Sequence, residues 1–298
     1  MVGTMSSSSS SGSPKSAGPR VIVVGAGAVG LSCALFLAKG GAAVTLVEAQ
    51  GRGLRAPKRR RAASANAAGM LGAYSEALYE GSNTHRLFAR FCAAGHAAWE
   101  RLLLAHPLLE AGVRDTGSLL LAHSDADLAR VMRVRDRARQ AGAQFEWTDG
   151  LPDDLDPHLY SLRVVGALRL PEERLVDVGA MLELLTEHCI DAGVSLLVER
   201  DEAGLQELIA HRRRALPGAR FESPPRFHAA GVRPMSPDWA PMIGPSGPEG
   251  CFVACGHSRN GWLLGPLTGQ ILAAQVLAQP LEDLWTAFSP DRFEKKAA

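Results

Sequence analysis

The chain of 298 residues is 46% hydrophobic, which is enough apolar material for the core of one large domain or two smaller ones. Its 32 lysines and arginines nearly balance 31 acidic residues, and the formal net charge of +1 creates no field that would attract nucleic acid or an anionic membrane. No apolar run reaches the length of a membrane span, so we expect neither nucleic acid nor a membrane as partner.

The first stretch of the chain, residues 1–19, is rich in serine and poor in apolar residues. It lacks the apolar core of a secretory signal, and its composition favours disorder. The five cysteines of the chain are odd in number and scattered, which is typical of reduced thiols rather than of a disulfide framework. We therefore expect a disordered tail at 1–19 and a cytoplasmic protein.

Residues 20–49 have the pattern of a βαβ unit. A β-branched run at 21–24 leads through a glycine-rich turn into a helix-forming stretch, and a second apolar run at 43–47 ends at Glu48. In dinucleotide-binding proteins an acid at this place hydrogen-bonds the adenosine ribose. An ordinary α/β unit with a glycine-rich turn is the weaker alternative, because strand, helix, second strand and terminal acid occur together.

The turn of this unit has the spacing GxGxxG. Gly25 would allow the tight turn, Gly27 would let the backbone approach a pyrophosphate, and Gly30 would let helix and strand pack closely. The N-terminus of the following helix would supply N–H donors and a positive dipole end to an anion. The turn therefore predicts a site for the pyrophosphate of a dinucleotide.

A second candidate segment, 64–72, follows a loop rich in glycine and basic residues. The basic run at 58–61 favours a solvated surface turn over a phosphate site. The segment itself, SANAAGMLG, consists of small residues that open a helix, a composition expected where backbone approaches a ligand ring. From this segment alone, the small residues are equally explained by a helix that packs tightly against its neighbours.

Hydrophobic periodicity predicts the remaining elements. Helices are predicted at 84–104, 125–141, 177–192 and 201–216, and strands at 117–122, 145–147, 166–170, 194–199 and 251–255. Three aspartates at 153–156 form turns and lack the glycine and glutamate of a calcium loop. Cys251 and Cys255 would lie roughly 13 Å apart on one strand without a second ligand pair, so we expect no metal site.

The sequence of the last quarter of the chain predicts a second anion-binding site. The strand at 251–255 ends in the polar loop GHSRNGW, and an apolar helix at about 263–277 begins directly after it. The positive N-terminus of that helix would face whatever the loop surrounds. The arrangement repeats that of the glycine-rich turn, in which a strand ends at a loop and a helix N-terminus.

Six motifs, taken in order, resemble the FAD-dependent D-amino-acid oxidase superfamily, and within it the glycine oxidases of thiamine biosynthesis. They are GAGAVGLSCALFLAKGGAAVTLVEA, ASANAAGMLGA, GALRLPEERLVD, AGVRPMSPDWAPMIGPS, GHSRNGWLLGPLTG and FSPDRF. The resemblance covers roughly residues 20–199 and 226–293. It implies an α/β fold in which a Rossmann-like FAD-binding domain is interrupted by a smaller α+β substrate domain.

The resemblance also implies domain boundaries. The FAD-binding domain would comprise 20–97, 159–203 and 228–298, and the substrate domain 98–158 and 204–227. Family members continue after the strand at 194–199 with a further strand, a segment that passes the adenine and several strands of the substrate sheet, and this sequence contains none of them. We therefore expect a truncated substrate domain with unpaired strand edges and an opened pocket.

Individual cofactor contacts follow from the resemblance. The residues that would hold the ADP half of FAD, besides Gly25, Gly27 and Gly30, are Ala28, Val29, Glu48 and Ala49. Those near the pyrophosphate and flavin would be Ser64, Ala68, Gly69 and Met70. Those around the isoalloxazine ring would be His257, Ser258, Arg259, Asn260, Gly261, Trp262 and Leu263.

Two arginines match substrate-site positions of the family. Arg233, in GVRP, matches the arginine that pairs with the substrate carboxylate, and Arg259, in HSRNG, matches one beside the pocket. For each arginine a surface salt bridge is the alternative. Gly231 occupies about the place where sarcosine oxidases tether flavin through a cysteine, so the resemblance implies non-covalent FAD.

The resemblance leaves two hypotheses for function. The first is an enzyme that oxidatively deaminates glycine, sarcosine or a D-amino acid to an oxoacid with hydrogen peroxide, with oxygen as electron acceptor and a role in thiamine biosynthesis. In it no side chain is catalytic, because the flavin carries the chemistry. The second is a catalytically impaired flavin-binding remnant that acts structurally or with a partner. The sequence leaves open whether the protein forms a homo-oligomer.

Overall fold

The computed structural model describes residues 18–48, 63–76, 85–155, 163–198 and 234–293. Its first unit is the predicted βαβ: strand β1 (Arg20–Val24), helix α1 (Ala28–Lys39) and strand β2 (Ala43–Glu48). β1 and β2 pair in parallel. The helix ends where Gly40 and Gly41 follow it, and Gly41 has φ +92°, a left-handed conformation that favours glycine.

The parallel sheet gains its third strand after the middle of the chain. Helix α4 (Val178–Asp191) leads into strand β9 (Ser195–Val198), which pairs in parallel with β2. Asp177 caps α4, because its carboxylate accepts hydrogen bonds from the amides of Gly179 and Ala180. The strand order is β1-β2-β9. The predicted helix at 177–192 and strand at 194–199 are confirmed within one or two residues.

Helix α5 (Gly261–Val276) is the most buried helix of the fold and lies against α1. The close approach needs two glycines on one face of α5. A Cβ on Gly265 would lie 3.1 Å from Ser32 Oγ, and a Cβ on Gly269 would lie 2.7 Å from the carbonyl carbon of Ser32. The absence of these two side chains therefore lets the helix backbones meet, and the N-termini of both helices border one cavity.

Two small antiparallel sheets flank this core. One has the order β3-β8-β4, from strands β3 (Met70–Leu71), β8 (Arg174–Val176) and β4 (Val113–Arg114). The other has the order β5-β7-β6, from strands β5 (Ser118–Ala122), β7 (Gly166–Leu170) and β6 (Glu146–Thr148). Helix α3 (Asp125–Gln140) covers the second sheet and forms with it a separate apolar cluster. Four buried members of this cluster lie in the segment 98–158 that the sequence assigned to the substrate domain, whereas Leu168 and Leu170 on β7 lie in 159–203, which it assigned to the FAD-binding domain.

The remaining elements complete the core around α5. Helix α2 (His85–Ala105) packs on α5, and strands β10 (Met242–Pro245) and β11 (Phe252–Cys255) form an antiparallel hairpin. Short 3-10 helices occupy Ser64–Asn66, Pro107–Gly112, Asp283–Phe288 and Pro290–Phe293. Among the residues described, no helix combines the length and the apolar character needed to cross a membrane.

The structure corrects some of the sequence expectations, and others concern residues outside the described ranges. The small-residue segment at 64–72 does not open a helix: it forms a 3-10 turn and then β3, because Met70 and Leu71 pair with β8. Strand β10 was not predicted from the sequence, because it begins after Pro241 and ends at Pro245, and proline is rare in the interior of a sheet. The predicted tail at 1–19 and helix at 201–216 lie almost wholly or wholly outside the described residues.

The α1–α5 contact yields a stability prediction. Gly269→Ala places a methyl group against the Ser32 backbone, which cannot move as a flexible side chain can. We expect it to reduce the free energy of unfolding by about 1–3 kcal/mol, the usual cost of overpacking. Gly261→Ala, on the same helix, is the control, because its Cβ would lie 4.0 Å from the nearest atom, in His257. Urea titration measures both, and an equal effect of the two substitutions would contradict the packing argument.

Candidate functional site

The glycine-rich turn has the geometry that its spacing predicts. Gly25 has φ +100°, and its N–H donates to Val47 O at 2.7 Å, which ties the turn to the end of β2. A Cβ on Gly30 would lie 1.8 Å from Gly25 O, so only glycine permits this packing of α1 on the turn. Gly27 precedes α1, and its Cβ would lie 3.0 Å from Ser64 Oγ.

Glu48 stands at the end of β2 beside this turn. Its Oε2 accepts a hydrogen bond from Ala26 N at 2.6 Å, which orients the carboxylate at the rim of the turn. A charge-assisted bond of this length is a strong one. A carboxylate placed here suits the ribose hydroxyls of a nucleotide whose pyrophosphate lies over Gly27.

Ser64 joins the two helix N-termini. Its hydroxyl oxygen accepts from Ala28 N in the first turn of α1 at 3.0 Å, and its carbonyl oxygen accepts from Trp262 Nε1 at 3.0 Å. Trp262 O, in turn, accepts from Trp99 Nε1 at 2.7 Å, which attaches the first turn of α5 to α2. Neither α1 nor α5 has an acidic side chain in its first turn, so both positive ends remain available to an anion.

The loop between β11 and α5 is tightly turned. Gly256 has φ +76° and Ser258 has φ +52°, a left-handed conformation that is uncommon for a non-glycine residue. Ser258 N donates to Pro234 O at 2.8 Å, which fixes the loop from the side of the preceding segment. Strained backbone of this kind persists where the surroundings enforce it and is frequent at functional sites.

His257 lies in this loop and is buried. Its Nε2 is 2.9 Å from Thr268 Oγ1 on α5. Burial lowers the pKa of the imidazole to about 4, because the charged form would lose its hydration. The ring is therefore neutral at pH 7 and serves to hold the loop on α5.

Arg259 forms an ion pair, which was the alternative that the sequence left open for it, but the partner, Glu76, was not identified from the sequence. Its Nε donates to Glu76 Oε2 at 2.6 Å, and Glu76 is only 7% exposed. Burial raises the pKa of the Glu76 carboxyl, while Arg259 and a hydrogen bond from Asn260 oppose the shift. This carboxylate offsets part of the positive charge that Arg259 would present to an anionic ligand.

A second buried acid positions the loop that bears Glu76. Glu173, 1% exposed, accepts hydrogen bonds from Tyr74 N at 2.7 Å and Ser75 N at 2.8 Å through one carboxylate oxygen. It thus anchors the turn after β3 to the segment between β7 and β8. The only sequence signal for this role was the position of Glu173 in the motif GALRLPEERLVD.

One cavity of about 1340 Å³ connects these parts and exceeds the range of about 300–1,000 Å³ that is usual for small-molecule pockets. It brings together most of the sequence-predicted residues, namely Gly25, Gly27, Val29, Gly30, Ser64, Ala68, Gly69, Met70, His257, Ser258, Arg259, Gly261 and Trp262. Ala28, Glu48, Asn260 and Leu263 do not line it, although Ala28 N donates to Ser64 Oγ and Glu48 accepts from Ala26 N of the glycine-rich turn. Ala49 and Arg233 lie outside the described residues.

The described residues fit a dinucleotide whose second half carries a large ring system. Two helix N-termini, a glycine turn open to close approach and an oriented carboxylate lie along a cavity of sufficient size. No group of three or more His, Cys, Asp or Glu residues within the described ranges is placed to hold a metal ion.

Comparison with protein families finds one family whose model matches most of the chain in two segments. The model of a family described as DAO, FAD dependent oxidoreductase, matches residues 20–200 and 197–275. The two matches together include the glycine-rich turn, the 64–72 segment and the first turns of α5.

Curated relatives match over shorter stretches. A stretch of 94 residues is 38% identical to the glycine oxidase of Bacillus licheniformis and covers 30% of this chain and 25% of that protein. Another of 96 residues is 34% identical to the bifunctional protein ThiO/ThiG of Trichormus variabilis and covers 32% of this chain and 15% of that protein. The matched stretches thus span a quarter or less of these relatives.

Solved structures match along almost the whole chain. The glycine oxidase from Geobacillus kaustophilus superposes with a TM-score of 0.67 at 21% identity, over 91% of this chain and 98% of that one. Iminodiacetate oxidase from Chelativorans sp. gives 0.67 at 18% identity, over 91% and 99%. At these identities the likeness concerns the fold, and it confirms the predicted α/β fold class.

The buried imidazole predicts a pH-dependent stability. A histidine has a pKa near 6.5 when unfolded, so between pH 6.5 and about 4 the unfolded chain binds more protons at His257 than the folded chain. Its contribution to stability is complete above pH 6.5 and is lost as the pH falls, by about 2 kcal/mol between pH 7 and pH 5. Urea titrations at both pH values measure this loss.

The variant His257→Gln should reduce this loss, since glutamine can still hydrogen-bond Thr268 and carries no titrating group. His123→Gln, which removes a partly exposed imidazole, should keep the wild-type loss. If wild type and His257→Gln lose the same stability, the pH dependence arises elsewhere.

Proposed function

The chain belongs to the DAO family of FAD-dependent oxidoreductases, and we propose that it binds FAD non-covalently and oxidatively deaminates a small amino acid or secondary amine. The observation that carries the proposal is the single cavity bordered by the glycine-rich turn, Ser64 and the loop before α5. A small amine such as glycine, sarcosine or a D-amino acid would occupy the space near that loop. Relatives named glycine oxidase support this substrate class. The proposed role in thiamine biosynthesis rests on the resemblance of the sequence motifs alone.

In this proposal the ADP half of FAD lies over the βαβ unit. The pyrophosphate would accept hydrogen bonds from the N-terminus of α1 near Gly27, and Glu48 would hold the ribose. Ser64 Oγ now accepts from Ala28 N, and its hydroxyl could donate to a phosphate oxygen at the same time. The isoalloxazine ring would lie against the loop 256–262, where the positive end of α5 stabilises negative charge on it.

Two arginines would have different roles toward the substrate. Arg233, whose position is carried by the family motif GVRP, would be the main anchor, since a planar fork gives two parallel charge-assisted bonds. Arg259 lines the cavity, but its charge is partly offset by Glu76 at 2.6 Å. We therefore assign Arg259 to the border of the pocket and Arg233 to the carboxylate.

The residues of this chain would contribute orientation and electrostatics to the reaction. When bound, FAD would supply the hydride acceptor for the substrate α-carbon, with oxygen as final electron acceptor, hydrogen peroxide as product and water hydrolysing the imine to an oxoacid. Arg233 would fix the carboxylate and so the α-carbon, while the neutral His257 would hold the loop in place. No side chain would need to gain or lose a proton in the hydride step.

The sequence-derived domain boundaries and a cytoplasmic location remain parts of this proposal. A second candidate, a flavin-binding protein with impaired turnover that acts with a partner, is favoured by one observation. Strand β1 ends the parallel sheet among the described residues, with Val24 82% exposed and Ile22 71% exposed. Turnover assays on protein with measured flavin content distinguish the two candidates.

Cofactor binding is tested with the purified protein. We expect bound flavin in the visible spectrum and its release into the supernatant on acid precipitation. Gly27→Val should weaken FAD binding at least tenfold, because its side chain occupies the space between the turn and Ser64. Tenfold corresponds to about 1.4 kcal/mol.

The melting temperature of the flavin-free Gly27→Val variant is the control for a general folding defect. A yellow acid pellet would contradict non-covalent binding. Colourless protein that FAD cannot reconstitute or stabilise against heat would remove the cofactor proposal, since a ligand bound only by the native state must raise the melting temperature.

The carboxylate anchor is tested by substitution. Arg233→Lys should weaken amino-acid binding at least tenfold, because lysine cannot make the paired bonds of a guanidinium, worth about 1.5–3 kcal/mol each. Anaerobic titration with glycine, sarcosine and D-alanine, followed by flavin bleaching, measures the effect. Arg259→Lys is the matched comparison and should weaken binding less. Unchanged affinity in Arg233→Lys, or loss of flavin from it, would show that Arg233 is structural.

A further inference from the structure

Glu76 and Arg259 form a charged part of the cavity wall beside the loop 256–262. Both residues line the cavity, and the side chain of Arg259 is 28% exposed, whereas that of Glu76 is 8% exposed. Arg259 Nε donates to Glu76 Oε2 at 2.6 Å, which is a charge-assisted bond between residues that are 183 positions apart. The pair therefore presents to the cavity a guanidinium whose charge a carboxylate already offsets.

The backbone that carries Glu76 is held in place by a second buried acid. Glu173 Oε1 accepts hydrogen bonds from the N–H groups of Tyr74 and Ser75. The turn is also closely packed, because a Cβ on Gly72 would lie 2.2 Å from Ser75 Oγ and 3.1 Å from Glu173 Oε2. Glu76 is therefore fixed at the cavity by its own backbone as well as by its ion pair.

The two carboxylates lie close enough to influence each other. Burial raises the pKa of the Glu76 carboxyl, Arg259 opposes that shift, and the negative charge of Glu173 adds to it. This end of the cavity thus holds two acids for one guanidinium. It offers no net positive charge to an anionic group that approaches Arg259 from the cavity.

We propose that Glu76 determines substrate specificity by restricting the pocket to amines with a single anionic group. This inference rests on the proposed function, in which Arg233 binds one carboxylate and the substrate lies near the loop before α5. A second carboxylate on the same substrate would take Arg259, the arginine of that loop, as its partner. It would have to displace Glu76, and a competing like charge is a usual means of rejecting the wrong ligand.

The test uses two ligands that differ only in the second carboxylate. Butyrate and glutarate have the shapes of sarcosine and iminodiacetate, with a methylene group in place of the amine, so they contain no amine to oxidise. In isothermal titration calorimetry on the purified chain with measured flavin content, butyrate should bind about tenfold more tightly than glutarate, or better. Glu76→Gln keeps the shape of the side chain and removes its charge. It should reduce this preference at least tenfold, which corresponds to about 1.4 kcal/mol.

Two control variants locate the effect. The double variant Glu76→Gln/Arg259→Gln removes both charges of the pair, so the net charge of the wall is that of wild type. It should regain the wild-type preference within about threefold. Glu146→Gln removes an acid that pairs with Arg169 at 3.6 Å on the β5-β7-β6 sheet, and it should leave the preference unchanged. Circular dichroism and the flavin spectrum show whether each variant is folded and loaded.

Equal affinity of wild type for the two ligands, or no binding of either, would overturn the inference even if Glu76→Gln did not fold. An unchanged preference in folded Glu76→Gln would also overturn it. The same holds if the double variant binds glutarate as Glu76→Gln does, because Arg259 would then not be the partner of the second carboxylate.

The substrates themselves separate this inference from the proposed function. The ratio of kcat/KM for sarcosine to that for iminodiacetate should change in Glu76→Gln as the ratio of the two affinities does. A ligand preference that responds to Glu76→Gln in a protein that oxidises neither amine would support the inference and contradict the proposed turnover. Oxidation of sarcosine with the same preference in wild type and Glu76→Gln would support the function and overturn the inference.

Discussion

The close contact between α1 and α5 determines where the site can be. Gly265 and Gly269 bring the backbone of α5 against Ala28 and Ser32, and the glycine-rich turn holds the start of α1 against β1 and β2. Because the two helices lie side by side from their first turns to Gly40 and Leu277, both positive ends border the same cavity. A ligand with negative charge at two places along its length is the natural occupant of such a cavity.

The polar contacts around the cavity follow from this constraint. Ser64 reaches both helices, with its hydroxyl at Ala28 N and its carbonyl at Trp262 Nε1, so it sets the spacing between the glycine-rich turn and the loop before α5. Glu173 holds the neighbouring turn by accepting hydrogen bonds from the backbone N–H groups of Tyr74 and Ser75, and that turn places Glu76 against Arg259. The charge of the pocket is therefore adjusted by residues that lie far from it in sequence.

The parts of the fold that sequence predicted are those with local causes. The spacing of Gly25 and Gly30 reflects a left-handed turn and the close packing of Gly30 on Gly25, which involve residues near one another in sequence. Strong periodicity placed α3 and β7 almost to the residue. The roles of Glu76 and Glu173 could not be predicted, since they act across separations of 183 and about 98 residues.

The helix predicted at 64–72 does not form, for a similar reason. Small residues are compatible with a helix, a turn or a strand, and local preference does not decide among them. Pairing of Met70 and Leu71 with β8, more than one hundred residues later, selects the strand. A site built from such segments is therefore visible in sequence as composition, while its geometry depends on tertiary contacts.

Whether the parallel sheet continues beyond β1 and whether the cavity has the donors to bind a cofactor are separate properties of this molecule. The donors that face the cavity belong to the turn after β1, to Ser64 and to the start of α5, and their positions are fixed by the helix contact and by β2. The open edge of β1 carries none of these donors. In the proposed function, the nucleotide site would therefore not depend on how the sheet continues beyond β1, its last strand among the described residues, whereas the exclusion of water from a reacting amine would depend on what covers that edge. Flavin content and turnover thus report on different parts of the structure.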